Sequence, residues 1–316
     1  MKILVTGSSG HLGEALVLAL SKLGHDTVGI DIVPSSTTNL SGSITDRSIV
    51  KQAMKAVEIV LHTATLHKPH VSTHDRQLFV DTNITGTLNL LEEAVRENVR
   101  SFIYTSTTST FGDALVPRKG EPATWIDEEV QPIPKNIYGV TKTAAEDLCE
   151  LFHRNEKLPC IVLKTSRFFP EQDGQKIIAE TYADGNIKAN EYLYRRVEIS
   201  DVVSAHLLAM EKASSIGFNK YIISATTPFT KNDLSKLHID APDIVRHLFP
   251  DYESLYSKFN WKMFPVIDRV YVNDKARKDL DWNPVYDFKY ILELLKISGD
   301  IRSPLAKTIG IKGYHK

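Results

Sequence analysis

Tyr138 and Lys142 stand four residues apart in YGVTK. On a helix that spacing puts a phenol and an ammonium on one face, about one turn from each other. The ammonium favours phenolate and draws the tyrosine toward the range of a general acid or base. A second match, Tyr271 and Lys275 in YVNDK, shows how readily the spacing arises. Only the first pair opens a helical pattern after a strand and a long loop, where the C-terminal edge of a parallel sheet would hold a reacting group. The strand before that loop ends in YTSTTSTFG, a run of hydroxyl side chains at the same edge. Such a run is compatible with strand propensity and turn chemistry. It equally offers a hydroxyl to hydrogen-bond a substrate oxygen.

A second constellation sits at the start of the chain. KILVTGSSGHLG, residues 2–13, is an apolar run closed by Gly7, Gly10 and Gly13. In a strand-turn-helix unit, the first glycine permits the tight turn, the second admits a ligand's phosphates, and the third lets the helix pack on the sheet. A helix starting near His11 offers its N–H groups and the positive end of its dipole to a pyrophosphate. Asp31 closes the next strand, about twenty residues on, where a carboxylate accepts both ribose hydroxyls of an adenosine and repels a 2′-phosphate. The pattern predicts NAD rather than NADP.

His62, His67, His70 and His74 form a small cluster, but no Cys or carboxylate completes a familiar metal spacing. No metal is expected, and His67 or Lys68 is read as a contact to the cofactor phosphates.

The elements that must position these groups follow from periodicity. Residues 3–6, 27–31, 57–62, 101–106 and 160–164 are short apolar or β-branched runs of the kind buried on both sheet faces. Helical patterns over 11–23, 75–98 and 136–154 lie between them. That rhythm predicts an α/β fold, a Rossmann-like doubly wound parallel sheet. It loosens after Lys164: residues 170–192 are rich in turn formers, YRRVEI reads as a strand leading into a helix, and KYIISA reads as another strand. The expected division is an NAD-binding domain of residues 1–164 and 201–225, with a smaller C-terminal substrate-binding lobe of 165–200 and 226–316.

The chain has 316 residues, 42% of them hydrophobic and 24% charged, enough for one large domain and a small lobe. A formal charge of −1 gives no global attraction to nucleic acid or anionic membrane. Cys149 and Cys160 have no disulfide-like spacing, and the first apolar run breaks at glycines, so a reducing, cytoplasmic setting is expected. The basic segment KTIGIKGYHK is expected to pack on its own subunit or stay mobile.

Taken together, TGSSGHLG, HTAT at 62–65, NITGTLNLLEEA, FIYTSTTSTFG, DEEVQPIPKNIYGVTK, RFF at 167–169 and DKARKDLDWNP resemble the extended short-chain dehydrogenase/reductase family over nearly the full length. These are the NAD-dependent sugar epimerases and dehydratases, typified by UDP-glucose 4-epimerase. The resemblance implies that Tyr138 is the catalytic acid/base, that Lys142 holds the nicotinamide ribose and tunes the phenol, and that Thr107 is the catalytic hydroxyl. It implies cofactor contacts at Gly7, Gly10, His11, Leu12, Gly13, Asp31, Ile32, Ser43, Ile44, Thr63, Ala64, Thr65, His67, Asn83, Thr105 and Phe168, besides Tyr138 and Lys142. It also implies a homodimer through the helices that begin near Asp75 and Tyr138.

Departures from the family pattern narrow the activity. Thr108 and Ser109 stand where dehydratases carry an Asp-Glu pair, so the acid that eliminates water is missing. Pro170 replaces an Asn, and Tyr194 an Arg, that help hold a nucleotide diphosphate, although Arg195 and Arg196 are adjacent. Ser43 replaces an Asp that contacts adenine. The expected function is an epimerase of a sugar, nucleotide-linked or not, working through a transient ketone. The alternative is a dehydrogenase that oxidises a smaller alcohol, sugar or sugar acid and releases NADH. A redox-sensing binding protein of the same fold would have no use for the Tyr-Lys pair.

Overall fold

The computed structural model of the chain describes residues 1–171 and 176–313. Its first part alternates β1 (Lys2–Thr6), α1 (His11–Lys22), β2 (Asp26–Asp31), β3 (Leu40–Ser41), α2 (Arg47–Met54), β4 (Ile59–His62), α3 (Arg76–Phe79), α4 (Gly86–Arg96), β5 (Ser101–Thr107), β6 (Thr124–Ile126), α5 (Ile137–Glu156) and β7 (Cys160–Thr165). There follow α6 (Lys176–Thr181), α7 (Asp184–Glu191), α8 (Ile199–Ile216), β8 (Phe218–Ile223), α9 (Leu234–Leu237), α10 (Ala241–Leu248), α11 (Tyr252–Ser257), β9 (Arg269–Tyr271), α12 (Asp274–Leu280), α13 (Phe288–Ile297) and α14 (Pro304–Ile309).

Among the described residues the central sheet has seven strands in the order β3-β2-β1-β4-β5-β7-β8, every neighbouring pair parallel. β4 and β7 are buried along their whole length, as their apolar runs at 59–61 and 160–163 require, and His62, Lys164 and Thr165 at their ends are buried with them. The chain leaves β1 in one direction to β2 and β3 and then crosses back to β4. The resulting switch point between β1 and β4 opens a crevice at the strand ends, where open α/β sheets bind ligands.

Apolar side chains pack both faces of the sheet. Leu16, Val202 and Trp282 belong to the core on one face, and Val50, Leu91 and Cys149 to the core on the other. A separate core joins Leu193, Tyr256, Val270 and Phe288 in the lobe, with β6 paired to β9. Sequence order and packing diverge at the edges of the two parts. Ala123 joins the lobe core, while Ala276, Leu280, Trp282 and Ile309 return to the core on the sheet.

The structure departs locally from the expected elements. The helix expected over 75–98 is α3, a π-helical turn Val80–Thr85, and then α4. The wide turn carries Asn83 inward, a common use of such bulges. Residues 176–191, expected to be loose, contain α6 and α7. The expected strand at 194–199 reduces to one bridge between Arg196 and Arg167. Arg195 and Arg196 both fold back onto Glu191 at the end of α7, which keeps this stretch from extending.

Candidate active site

Asn136 caps α5, its side chain accepting the Gly139 N–H at 3.0 Å. The first turn of that helix places Tyr138 against a cavity of about 1150 Å3 at the strand ends. Lys142, one turn on, is 2% exposed and borders the same cavity. Its Nζ donates to the Thr105 carbonyl at 2.7 Å and lies 4.1 Å from the centre of the Tyr104 ring. Burial pushes its pKa down to about 7, against the opposing pull of Glu146. Thr107 ends β5 at the cavity, and its Oγ1 accepts the Ser109 N–H at 3.1 Å, so the hydroxyl proton points to no protein acceptor among the described residues. Tyr138, Lys142 and Thr107 are thus brought to one wall. The other Tyr-Lys match is split, Tyr271 on β9 and Lys275 on α12, its Nζ 5.7 Å from the centre of the Tyr221 ring.

At the opposite end of the cavity lies the glycine turn. Gly7 has φ +70°, and a Cβ there would come within 2.8 Å of the Ala64 nitrogen. A Cβ at Gly13 would lie 1.9 Å from the Gly7 carbonyl oxygen, whereas one at Gly10 would approach only that oxygen, at 3.2 Å. Gly10 therefore leaves its surroundings open. Asp31 accepts the backbone N–H of Ser9 at 3.0 Å on one carboxylate oxygen and that of Val33 at 2.9 Å on the other. The Ser9 hydroxyl is buried beside the cavity with no hydrogen-bond partner among the described residues. A glycine cradle, an oriented carboxylate and an orphaned hydroxyl fit a dinucleotide.

His62 shapes the wall between the two ends. Thr87 donates to the Asn83 carbonyl at 2.7 Å, so its Oγ1 accepts from His62 Nε2 at 2.9 Å, and His62 Nδ1 accepts from Thr6 Oγ1 at 2.7 Å. Thr6 Oγ1 in turn accepts the Thr63 and Ala64 N–H groups. Burial, with Lys142 adding to it, holds the His62 pKa well below its ordinary value, which keeps the ring neutral in this relay. The relay pins the loop after β4, including Thr63, Ala64 and Thr65, along the cavity.

Asn83 departs from its expected role. It is 1% exposed and does not border the cavity; its Oδ1 accepts from the Leu66 N–H and the Thr65 hydroxyl, and its Nδ2 donates to Thr141 and the Leu66 carbonyl. It holds the loop from behind. Thr105 borders the cavity, as expected, with its hydroxyl turned inward: His206 Nδ1 donates to the Val202 carbonyl, so Nε2 accepts the Thr105 hydroxyl at 2.8 Å, and the threonine serves Lys142 through its carbonyl. Gly7, Gly10, His11, Leu12, Gly13, Asp31, Ile32, Ser43, Ile44, His67 and Phe168 all border the cavity. Leu12 does so from the core. His67 forms a ring contact with Phe169, which stacks on Phe168. Among the described residues no group of three or more His, Cys, Asp or Glu is arranged to hold a metal ion.

Tyr194 is buried in the lobe core, edge-on to Phe264, and does not border the cavity. Arg195 and Arg269 do, as do Tyr271, Lys312 and Gly313. Sequence reasoning placed none of these five at the cofactor cavity. Arg195 had a signal, its position beside Tyr194; the others reach the cavity only through the folding of the lobe and the last segment.

A phenol and an amine on one wall and a glycine cradle on the other define a dinucleotide-dependent α/β enzyme. The sequence model of the NAD dependent epimerase/dehydratase family matches residues 3–223, and the chain belongs to that family, with NAD as its cofactor. It is 24% identical over 314 residues to a putative UDP-glucose 4-epimerase of Methanocaldococcus jannaschii, covering 91% of this chain and 94% of that one. It is 27% identical over 271 residues to a dTDP-D-glucose 4,6-dehydratase of Dictyostelium discoideum, covering 74% of this chain and 61% of that one. The match to a further relative covers 39% of that protein's length, so the chain spans less than two thirds of two of the relatives it matches. In fold it resembles the Thermotoga maritima UDP-glucose 4-epimerase crystallised with UDP-glucose, with a TM-score of 0.65, 24% identity, and coverage of 95% of this chain and 100% of that one. No helix among the described residues is long and apolar enough to cross a membrane.

Proposed function

We propose that this protein is a sugar epimerase that inverts a carbinol centre through a transient ketone, on a free or nucleotide-linked sugar. When bound, NAD supplies a reversible acceptor for the hydrogen of the carbinol carbon. Tyr138 takes the hydroxyl proton as the ketone forms and returns it as the alcohol is restored. Lys142, held by the Thr105 carbonyl, keeps an ammonium one turn from the phenol and supports phenolate. Thr107 donates a hydrogen bond from its hydroxyl to the same substrate oxygen. The observation that carries this reading is the burial of Tyr138 and Lys142 on the wall of the cavity that also holds the glycine turn. The Methanocaldococcus jannaschii relative named as a putative UDP-glucose 4-epimerase supports it. Thr108 and Ser109 bring no carboxylate beside Thr107, so dehydration has no acid.

One observation favours a second reading, net oxidation of a smaller alcohol, sugar or sugar acid with release of NADH. Tyr194 lies inside the lobe core, so the lobe offers no cation from that position for a nucleotide diphosphate. The two readings separate when purified protein is mixed with UDP-sugars and sugar acids and both product and reduced cofactor are followed. Product without free NADH supports the epimerase, stoichiometric NADH supports the dehydrogenase, and turnover unaffected by Tyr138→Phe removes both.

We further infer a cytoplasmic homodimer joined through α3, α4 and α5; Leu78 of α3 and Val140 and Leu151 of α5 are exposed. A monomeric mass in light scattering at micromolar concentration would refute that assembly.

A further inference from the structure

The segment after α14 lies over the phosphate end of the cofactor cavity. α14 itself is anchored: Ser303 caps it by accepting the Ala306 N–H at 2.9 Å, and Ile309 is buried in the same core as Leu12 and Val17 of α1. Gly310, at φ +66°, then turns the chain back along α1, a conformation that favours glycine. Beyond it the Lys312 N–H donates to His11 Nε2 at 3.2 Å, the Gly313 N–H donates to Glu171 Oε1 at 3.2 Å, and Lys312 Nζ pairs with Glu14. Lys312 and Gly313 border the cavity together with Gly7, Gly10 and His11.

These contacts lie at the N-terminus of α1, where an anion would bind. Glu14, in the first turn of α1, and Glu171, after β7, are two carboxylates beside the helix N-terminus that receives a pyrophosphate. Left alone they would repel it. The segment answers both, with an ammonium on Glu14 and an N–H on Glu171. His11 has one ring nitrogen for two contacts. As a lone pair it accepts from Lys312, and as N–H it donates to Glu171 at 3.1 Å, whose oxygen also takes the Gly313 N–H. In either state the ring ties the segment to the glycine turn.

We propose that residues 311–313 are a strap that covers the phosphate end of the NAD site and balances the charge of Glu14 and Glu171, so that the cofactor leaves only when the strap lifts. Lys312 is a cofactor-site residue in this arrangement, its ammonium cancelling the Glu14 charge beside the pyrophosphate. A strapped cofactor suits an enzyme that restores its own NAD in each cycle; the strap itself rests on NAD binding and not on which substrate is turned over.

The test compares the intact chain with one ending at Gly310, which keeps α14. Each is loaded with NADH, and release is read as loss of its fluorescence on mixing with excess NAD. The shortened chain is expected to release NADH about tenfold faster, the effect of losing roughly one net hydrogen bond's worth of holding. Adding Glu14→Gln and Glu171→Gln to the shortened chain is expected to recover most of the lost affinity at low salt; no recovery would overturn the charge balance. A release rate within about twofold of the intact chain's would overturn the strap alone. Failure of the intact chain to bind NADH would overturn the cofactor assignment and the strap with it. Should the shortened chain not fold, Lys312→Ala combined with Gly313→Pro removes the ammonium, one N–H and the φ +70° turn at Gly313, and the same release criterion applies.

Discussion

Asp31 accepts the Ser9 backbone N–H at 3.0 Å, which couples the end of β2 to the glycine turn after β1. The Val33 N–H holds the other carboxylate oxygen at 2.9 Å, so the protein itself fixes the orientation of the group. Each oxygen keeps a lone pair for a further hydrogen bond.

Asp31→Ser should therefore weaken NAD binding by about 1.5–3 kcal/mol, the range for hydrogen bonds to a charged group. It should strengthen NADP binding, because the carboxylate no longer repels a 2′-phosphate. Calorimetric titration with both dinucleotides checks this; an unchanged NAD to NADP ratio would remove Asp31 from the ribose site.

Tyr138→Phe should lower turnover by about 10²–10⁴-fold, the usual contribution of a positioned acid or base. NAD affinity should hardly change. Steady-state rates set beside NADH fluorescence titration give the answer, and near-normal turnover in the variant would end the acid/base assignment.

The glycines of the first turn should separate fold from binding. Gly13→Ala puts a Cβ against backbone, 1.9 Å from the Gly7 carbonyl oxygen, and should cost about 3 kcal/mol or more in urea denaturation. Gly10→Ala meets only that oxygen, at 3.2 Å, so it should fold and lose NAD affinity. Equal stability losses at the two positions would contradict the geometry.

Lys142 makes stability depend on pH. Its folded pKa of about 7 lies below the ordinary 10.5, so between those values the unfolded chain binds the extra proton. Stability contributed by this site thus rises with pH across that window, and the cost of the buried ammonium is complete below it. Lys142→Met should stabilise the apo protein at neutral pH, with the advantage shrinking by as much as about 3 kcal/mol toward pH ~9.5, while turnover is lost. A stability difference that is the same at both pH values would show that the amine is not buried as described.

Glu146 and Lys164 form a buried pair at 2.7 Å, exposed by 1% and 3%, beneath the Ser106 hydroxyl that donates to the same carboxylate. Glu146→Gln strands the Lys164 ammonium and should destabilise by about 3–5 kcal/mol, whereas a double replacement by apolar residues should cost far less. Denaturation of the single and double variants tests the contrast.

Periodicity found six of the seven sheet strands, because strands buried on both faces are largely apolar, as β4 and β7 are before His62 and Lys164; the two-residue β3 was too short to show a pattern. Periodicity failed where side chains bend the backbone. The π-helical turn at Val80–Thr85 reads as plain helix, since only the inward pull of Asn83 on Leu66 and Thr141 distinguishes it. The same contacts move Asn83 from the cavity to the wall behind it. The stretch after Tyr194 reads as a strand, but Arg195 and Arg196 close onto Glu191.

By its own spacing the chain determined the glycine turn, the Asp31 carboxylate and the Tyr138–Lys142 pair, because each depends on residues within a turn or a single strand-helix unit. The tertiary structure alone decided that Thr105 would hold Lys142, that His62 would serve a neutral relay, and that Lys312 would lie against His11, 301 residues away. Those contacts follow from which surfaces pack together, and no local periodicity encodes that.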